Sequence, residues 1–83
     1  MEHDKTLVLR NLILRDYSVV RDEMKKRNKS LFDDFVELER QKENYNFDSY
    51  LILLDKLHDF VVNDLNSPQT SKRDSILKYL DKL

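Results

Sequence analysis

The sequence contains no cysteine, glycine or tryptophan, and its single proline is Pro68. Without cysteine the chain has no disulfide bond and no thiolate metal site. Glycine and proline supply the turns that strand-rich folds need, so their scarcity favours an all-helical fold. No serine is flanked by glycine and no glycine-rich loop is present, so the motifs for nucleophilic catalysis and phosphate binding are missing. We therefore expect a helical protein that is not an enzyme and uses no cofactor.

Long hydrophobic runs are missing as well. The longest run, Leu51 to Leu54, is far shorter than the roughly 20 residues that span a bilayer. The N-terminal residues include an acid at position 2 and no small-residue cleavage site, so we expect no signal peptide. The lack of cysteine suits a reducing compartment, and a cytoplasmic location is the prediction.

An excess of charge of one sign is also missing. Lys and Arg number 15 and Asp and Glu number 16, for a net charge of -1, although 37% of the residues are charged. Nucleic-acid-binding proteins usually carry a basic excess, because neutralising phosphates drives their affinity. We therefore predict no nucleic acid partner, and the 83 residues suffice for one domain, 1–83.

Apolar residues recur at three- and four-residue steps, which predicts amphipathic helices. The first is expected from about Asp4 to Lys26. A second, capped by the hydroxyl of Ser30, should end near Glu43. The same apolar stripe also allows an alternative break at Asp16 to Ser18, which would give a short first helix and a long second one.

Two further helices are expected in the second half of the chain. Asn46 can cap the third, with Tyr45 packing on Tyr50 as a hydrophobic staple. The segment "NSPQTS" is the clearest loop, and Ser67 or Thr70 can cap the fourth helix after it. The predicted core faces are Phe47, Leu51, Leu54, Leu57, Val61 and Leu65 on the third helix and Ile76, Leu77, Leu80 and Leu83 on the fourth. Short links between four such helices predict a small antiparallel four-helix bundle.

Carboxylates are plentiful, and together with histidine they are common metal ligands. Asp55 and His58 have the spacing of neighbours on one helix face. One such pair supplies two ligands where a closed site needs about four. The Glu-x-x-His pairs of di-metal bundles are missing. We therefore predict no metal site.

Two groups of basic residues can each be interpreted in two ways. The basic residues of 21–29, "RDEMKKRNK", could contact anionic lipid heads or an acidic partner. Alternatively, they could form a solvated helix end, where their positive charges interact favourably with the negative pole of the helix dipole. A second group lies on the fourth helix. Among the aromatic residues, Phe32, Phe60 and Tyr79 are expected to be partly exposed, either as a partner surface or as the edge of a wide apolar stripe.

The stretch "LERQKENYNFDSYLILLDKL", followed by a threonine and "ILKYL", resembles the immunity proteins that protect bacteria from pediocin-like (class IIa) bacteriocins, of the enterocin A immunity type. In that family a charged helix end leads through a short turn into an apolar helix, and a threonine-capped helix follows. The matching residues here are Leu38, Glu39, Arg40, Gln41, Lys42, Thr70, Ile76, Leu77 and Leu80. Before Leu38 the resemblance is one of spacing alone.

The resemblance implies a cytosolic four-helix bundle that is not an enzyme. Such proteins act at the inner face of the membrane, on the mannose phosphotransferase permease that the bacteriocin captures. The C-terminal half of the family sets which bacteriocin is resisted, so the resemblance points to the third helix, the loop and the fourth helix. Family members usually continue into a tail beyond the fourth helix, whereas this sequence stops at Leu83.

The predicted function is thus bacteriocin immunity through binding of a permease–bacteriocin complex, with peripheral membrane contact compatible with the basic groups. The alternative is a small regulatory or adaptor protein that binds a soluble partner, and the chain could be a monomer or a homodimer. The residues expected to bind the protein partner are Asn66, Ser67, Gln69, Lys72, Arg73, Tyr79 and Lys82. Tyr79 and Arg73 are the side chains near the loop that suit an interface anchor.

Overall fold

The computed structural model describes residues 2–42 and 45–83, and in this part of the chain it is helical and without β-strands. Its α-helices are α1 (Glu2–Tyr17), α2 (Arg21–Arg27), α3 (Lys29–Arg40), α4 (Phe47–Asp59) and α5 (Arg73–Asp81). A 3-10 turn, Ser18–Val20, joins α1 to α2 into one helical run, and a π-helical turn, Phe60–Asp64, extends α4. The run α1–α2 and the helices α3, α4 and α5 confirm the predicted all-α four-helix bundle.

The core is one cluster of apolar side chains that all the helices share. Helix α1 packs against α4 and α5, α2 against α3, and α3 against α4. The buried hydrophobic residues are Leu9, Ile13, Tyr17, Val20, Met24, Leu31, Phe35, Leu38, Tyr50, Leu53, Leu54, Leu57, Phe60, Val61, Ile76 and Leu80. Leu83 was predicted to join them, but it lies beyond the end of α5 and is 54% exposed. With no helix to hold it on the core face, that prediction is wrong.

The break between the first two predicted helices lies at Asn28. This residue has a non-helical backbone, with φ -147° and ψ 81°, and its Oδ1 accepts a hydrogen bond from the Leu31 N–H at 3.1 Å. Asn28 therefore caps α3, and the prediction that Ser30 does so is wrong, because α3 has already begun at Lys29. The alternative break near Ser18 corresponds only to the local tightening into a 3-10 turn.

The start of α4 is as predicted. The Asn46 Oδ1 accepts a hydrogen bond from the Ser49 N–H at 2.9 Å, and the ring centroids of Tyr45 and Tyr50 are 6.5 Å apart. Both the cap and the staple are therefore confirmed. The expected end of the preceding helix near Glu43 lies outside the described residues, and α3 ends at Arg40.

Two arginines of the first run secure the C-terminal end of α3. Arg10 donates from Nε to the Leu38 carbonyl at 3.1 Å and from Nη2 to the Glu39 carbonyl at 3.0 Å. These carbonyls belong to the last turn, where a helix has no partners of its own for them. Arg21 donates hydrogen bonds from both Nε and Nη2 to the Glu39 carboxylate, at 3.0 and 3.1 Å. The seam between the first run and α3 is thus closed by polar contacts as well as by the core.

The end of α4 differs from a regular α-helix. In the π turn the Leu65 N–H reaches the Phe60 carbonyl at 3.0 Å, and the Ser67 N–H reaches back to the Val61 carbonyl at 2.9 Å. Between them Asn66 has a φ of 53°, the left-handed conformation that asparagine tolerates better than most residues and that ends many helices. The chain leaves α4 at a sharp, hydrogen-bonded corner.

The predicted cap of the last helix is also wrong. Helix α5 begins after Lys72 without any side-chain cap, and neither Ser67 nor Thr70 provides one. The reason is a separate 3-10 turn, Pro68–Thr70, which follows Ser67 and includes Thr70, so neither residue stands at the start of α5. The Ser67 hydroxyl instead donates to the Leu65 carbonyl at 3.2 Å. None of the described helices combines the length and apolar character that a membrane crossing requires.

Candidate binding surface at the α4–α5 loop

The structure divides the predicted partner-binding residues into two places. The loop between α4 and α5, residues 66–72, and the first residue of α5 bring five of them together at one end of the bundle: Asn66, Ser67, Gln69, Lys72 and Arg73. Tyr79 and Lys82 lie further on, with Tyr79 about 9 Å from Arg73 along the axis of α5. The loop and the first residue of α5 are therefore the better-defined candidate surface.

The loop is tied to the bundle through Ser71. Its Oγ lies 2.7 Å from the His58 Nδ1 and 3.0 Å from the Tyr17 hydroxyl oxygen. Tyr17 is fully buried in α1, while His58 on α4 and Ser71 are half-buried. One hydroxyl thus joins α1, α4 and the loop. We call Tyr17, His58 and Ser71 the loop anchor.

Burial raises the pKa of Tyr17 above its usual value, because the phenolate would lose its hydration. The hydrogen bonds with Ser71 and with the Lys72 backbone oppose this rise, as does the charge of Arg73. The phenol therefore stays neutral at physiological pH. A neutral Tyr17 keeps its hydroxyl proton available for the loop anchor.

The Ser71–His58 pair invites comparison with a nucleophile and its base. Such a base must itself be oriented by a third group, usually a carboxylate on its other nitrogen. In the part of the chain that the structure describes, no group hydrogen-bonds the Nε2 of His58. The arrangement is suited to holding the loop, and it lacks the oriented base that activates a serine.

Arg73 sits beside the loop anchor and contacts α4. Its Nη1 is 3.3 Å from the Asp55 Oδ1, and its Nε is 3.7 Å from the Asp74 Oδ1. The Nε is buried and makes no hydrogen bond, although the side chain as a whole is 32% exposed. Arg73 therefore links α5 to α4. It is only partly available for the predicted role of an anchor in a partner interface.

The remaining predicted residues divide by their exposure. The side chains of Asn66, Gln69, Lys72 and Lys82 are exposed and make no hydrogen bond or ion pair to any described residue. Tyr79 is 51% exposed, as predicted. Four unpaired polar side chains and one exposed aromatic ring are thus available to a partner.

The two phenylalanines expected at the surface are less open. Phe32 is half-buried, with the guanidinium carbon of Arg21 5.0 Å and the Nζ of Lys29 5.7 Å from its ring centroid. Phe60 is only 2% exposed, so the prediction for it is wrong. It begins the π turn and packs in the shared core, because the apolar stripe of α4 is wider than the face first assigned to it.

Most of the basic residues in segment 21–29 already form ion pairs within the fold. Three of its members form ion pairs: Arg21 with Glu39, Arg27 with Glu23 and Lys29 with Asp33. Lys25 and Lys26 are exposed and have no acidic partner among the described residues. Two adjacent lysines at the end of α2 remain as a cationic surface.

Asp55 and His58, one turn apart on α4, each have a partner within the fold. Asp55 pairs with Arg73, and His58 faces Ser71. Across the described residues no three His, Asp or Glu side chains converge as metal ligands would. The structure therefore uses both residues to fasten the loop and α5.

Reasoning from the sequence missed the loop anchor. The spacing of apolar residues along the first helix puts Tyr17 on its core face, and nothing in that spacing singles out Ser71. One signal was present: a tyrosine on a core stripe must bring its hydroxyl to a partner, since buried polar groups are nearly always hydrogen-bonded. That signal demands a partner without saying which residue it is.

Comparison with known proteins gives no relative from which a function could be carried over. The chain matches no family model, no curated protein and no solved structure.

Proposed function

We propose that this protein is a non-enzymatic binding module of the bacteriocin immunity type. In this proposal it acts in the cytoplasm, where it recognises a mannose permease captured by a pediocin-like bacteriocin and so protects the cell. The observation that supports it best is a loop whose backbone is fixed while its polar side chains are free. The side chains of Asn66, Gln69 and Lys72 make no hydrogen bond or ion pair with any described residue, although Ser71, which lies between Gln69 and Lys72, is held by the loop anchor.

A fixed loop favours recognition because little conformational entropy is lost when a partner binds. The left-handed corner at Asn66 and the loop anchor at Ser71 hold the two ends of the loop. Lys72 and the partly exposed Arg73 then offer cationic donors to acidic or carbonyl groups of the partner. The exposed lysines at the end of α2 allow contact with an anionic membrane surface.

The test is expression in a bacteriocin-sensitive strain, challenged with a panel of pediocin-like peptides. Survival against one or two peptides is expected. The double variant Gln69→Ala/Lys72→Ala should abolish protection, because both side chains are exposed and unpaired and their loss should change stability by less than about 0.5 kcal/mol. Asn11→Ala/Lys42→Ala, which removes an exposed amide and an exposed lysine outside both the loop and α2, is the matched control and should still protect.

Two results would contradict the proposal. Sensitivity to every peptide, with the protein shown by circular dichroism and immunoblot to be folded and abundant, would reject immunity. Full protection by the double variant would reject the loop as the recognition surface.

A second candidate is a small regulatory or adaptor protein that binds a soluble partner or a second copy of itself. It is favoured by two exposed apolar side chains, Val19 at 73% and Ile52 at 58% exposure. Analytical ultracentrifugation, which measures the oligomeric state, distinguishes the two candidate functions. A dimer in dilute buffer would favour the adaptor, whereas a monomer that protects cells would favour immunity.

A further inference from the structure

A furrow runs along the seam between α3 and α4, on a surface separate from the α4–α5 loop. It consists of two hollows of about 290 and 420 Å³ that share Asp34 and Lys56, so they form one continuous depression. Leu31, Leu38 and Phe60 are among the buried apolar side chains at its base, and polar side chains surround them. We call this depression the α3–α4 furrow.

The rim of the furrow concentrates negative charge. Four carboxylates, those of Asp34, Glu37, Asp59 and Asp64, face one ammonium, that of Lys56. The lining thus carries a net charge of -3, although the whole chain carries only -1. Charge of one sign along a concave surface attracts ligands of the other sign.

Most of these carboxylates are unneutralised. Lys56 lies 3.7 Å from the Asp34 carboxylate, and Asp59 accepts a weak hydrogen bond from the Asn63 amide at 3.5 Å. The side chains of Glu37 and Asp64 have no cationic partner among the described residues. Glu37 and Asp59 therefore remain open to a cation, whereas Arg27 already lies beside Asp64, where its Nη1 donates to the Asp64 carbonyl at 3.3 Å.

An exposed apolar residue stands on the same rim. Ile52 is 58% exposed and lies on α4 one turn before Lys56. An exposed isoleucine above the apolar side chains of the base gives a partner something to bury in addition to charge. Nucleic acids and anionic lipid surfaces, which share the sign of the rim, would be repelled.

We infer that the α3–α4 furrow binds a basic amphipathic helix of a protein partner. Helix α3 has 12 residues and is about 18 Å long, so a helix of about three turns can lie along it. Laid in the furrow, the apolar stripe of that helix covers Ile52 and the apolar side chains of the base, and its lysines or arginines meet Glu37 and Asp59. The furrow contains none of the loop residues, so this inference stands or fails independently of the proposed function.

The probe is a synthetic 14-residue peptide with leucines at positions i, i+3, i+4 and i+7 and lysines on both sides of that stripe. Its control is a scrambled peptide of the same composition, which has the same charge and no apolar stripe. Binding to the full ¹⁵N-labelled protein is followed by fluorescence anisotropy and by amide chemical shifts at about 0.15 M salt. We expect saturable binding to the first peptide alone, with shifts along residues 34–41 and 49–59.

Charge is tested by Glu37→Gln/Asp59→Asn, with Asp22→Asn/Asp81→Asn as the control of equal charge change. Asp22 and Asp81 are exposed and lie outside the furrow. The furrow variant should bind about three- to tenfold more weakly, since two exposed ion pairs are lost. The control should bind as the unmodified protein does.

The apolar contribution is tested by Ile52→Ser against Val19→Ser, an exposed residue elsewhere. Only the first substitution should weaken binding. The inference is overturned by any of three results: no saturable binding, equal binding of the scrambled peptide, or equal weakening by the furrow and control variants. Bulk attraction of a cationic peptide to an acidic protein would produce the last two.

Discussion

Replacing Ser71 with alanine removes the hydroxyl that joins α1, α4 and the loop. The substitution leaves the Tyr17 hydroxyl, on a side chain with no solvent exposure, without its side-chain partner. It also deprives the His58 Nδ1 of its neighbour at 2.7 Å. We therefore expect a loss of stability larger than one exposed hydrogen bond would give.

The magnitude follows from the burial of Tyr17. An unsatisfied buried polar group costs about 1–3 kcal/mol. The backbone hydrogen bond with Lys72 remains, so the lower part of that range, about 1–2 kcal/mol, is expected for Ser71→Ala. In a domain of this size each kcal/mol lowers Tm by roughly 4–8 °C.

A double-mutant cycle isolates the contact. Tyr17→Phe removes the buried hydroxyl itself, so after it Ser71→Ala leaves no phenol unsatisfied. The double variant should therefore be more stable than the sum of the single losses predicts, by about 0.5 kcal/mol or more. Free energies of unfolding come from urea titrations at pH 7 followed by circular dichroism, with the m-values compared.

Ser75→Ala is the matched control, because Ser75 is exposed on α5 and makes no side-chain hydrogen bond. It should change stability by less than about 0.5 kcal/mol. A loss of that small size for Ser71→Ala, together with additivity in the cycle, would refute the role given to the loop anchor. Amide exchange over residues 66–72 supplies a second readout, which should accelerate in Ser71→Ala alone.

Two further predictions concern the helix cap and the buried phenol. Asn28→Ala should lower the free energy of unfolding by about 1 kcal/mol, whereas Ser30→Ala should leave it nearly unchanged. Urea titration measures both variants. A larger loss for Ser30→Ala than for Asn28→Ala would contradict the assignment of Asn28 as the cap. The raised pKa of Tyr17 means that the folded state holds its phenol proton to higher pH than the unfolded state does. Its contribution is therefore complete below about pH 10 and is lost as the pH rises further. Urea titrations between about pH 8 and 11 should show a shallower alkaline decline for Tyr17→Phe than for the unmodified protein. Identical declines would show that Tyr17 does not carry the effect. Tyr50, whose pKa burial also raises, should leave part of the decline in the variant.

The helices were predictable because they follow from local rules. Apolar spacing located the helical segments, and Asn46 capped α4 as its position before Phe47 suggested. The first cap was missed because Asn28 and Ser30 both have capping side chains two residues apart. Spacing alone cannot choose between them, and the choice was made by where the chain turns to pack α2 on α3.

The loop anchor and the α3–α4 furrow were less predictable because they join distant parts of the chain. Ser71 and Tyr17 are separated by 54 positions, and no local pattern pairs them. The α3–α4 furrow likewise exists only once Asp34 and Lys56 face each other across two helices. The sequence supplied the residue types for both, and the packing of the helices supplied their arrangement.

The π turn at the end of α4 also governs how the loop can change between sequences. A π turn takes up one residue more than an α turn does, so everything after Asp64 is rotated by about 100° relative to an uninterrupted α-helix. Deleting one residue within 60–64 should restore the α-helical register and move the loop to another side of the bundle. The nuclear Overhauser contacts between Ser71 and Tyr17 should then be lost. The direction of the loop is therefore set by the length of one turn, and a single-codon deletion could redirect it while the rest of the helices keep their places.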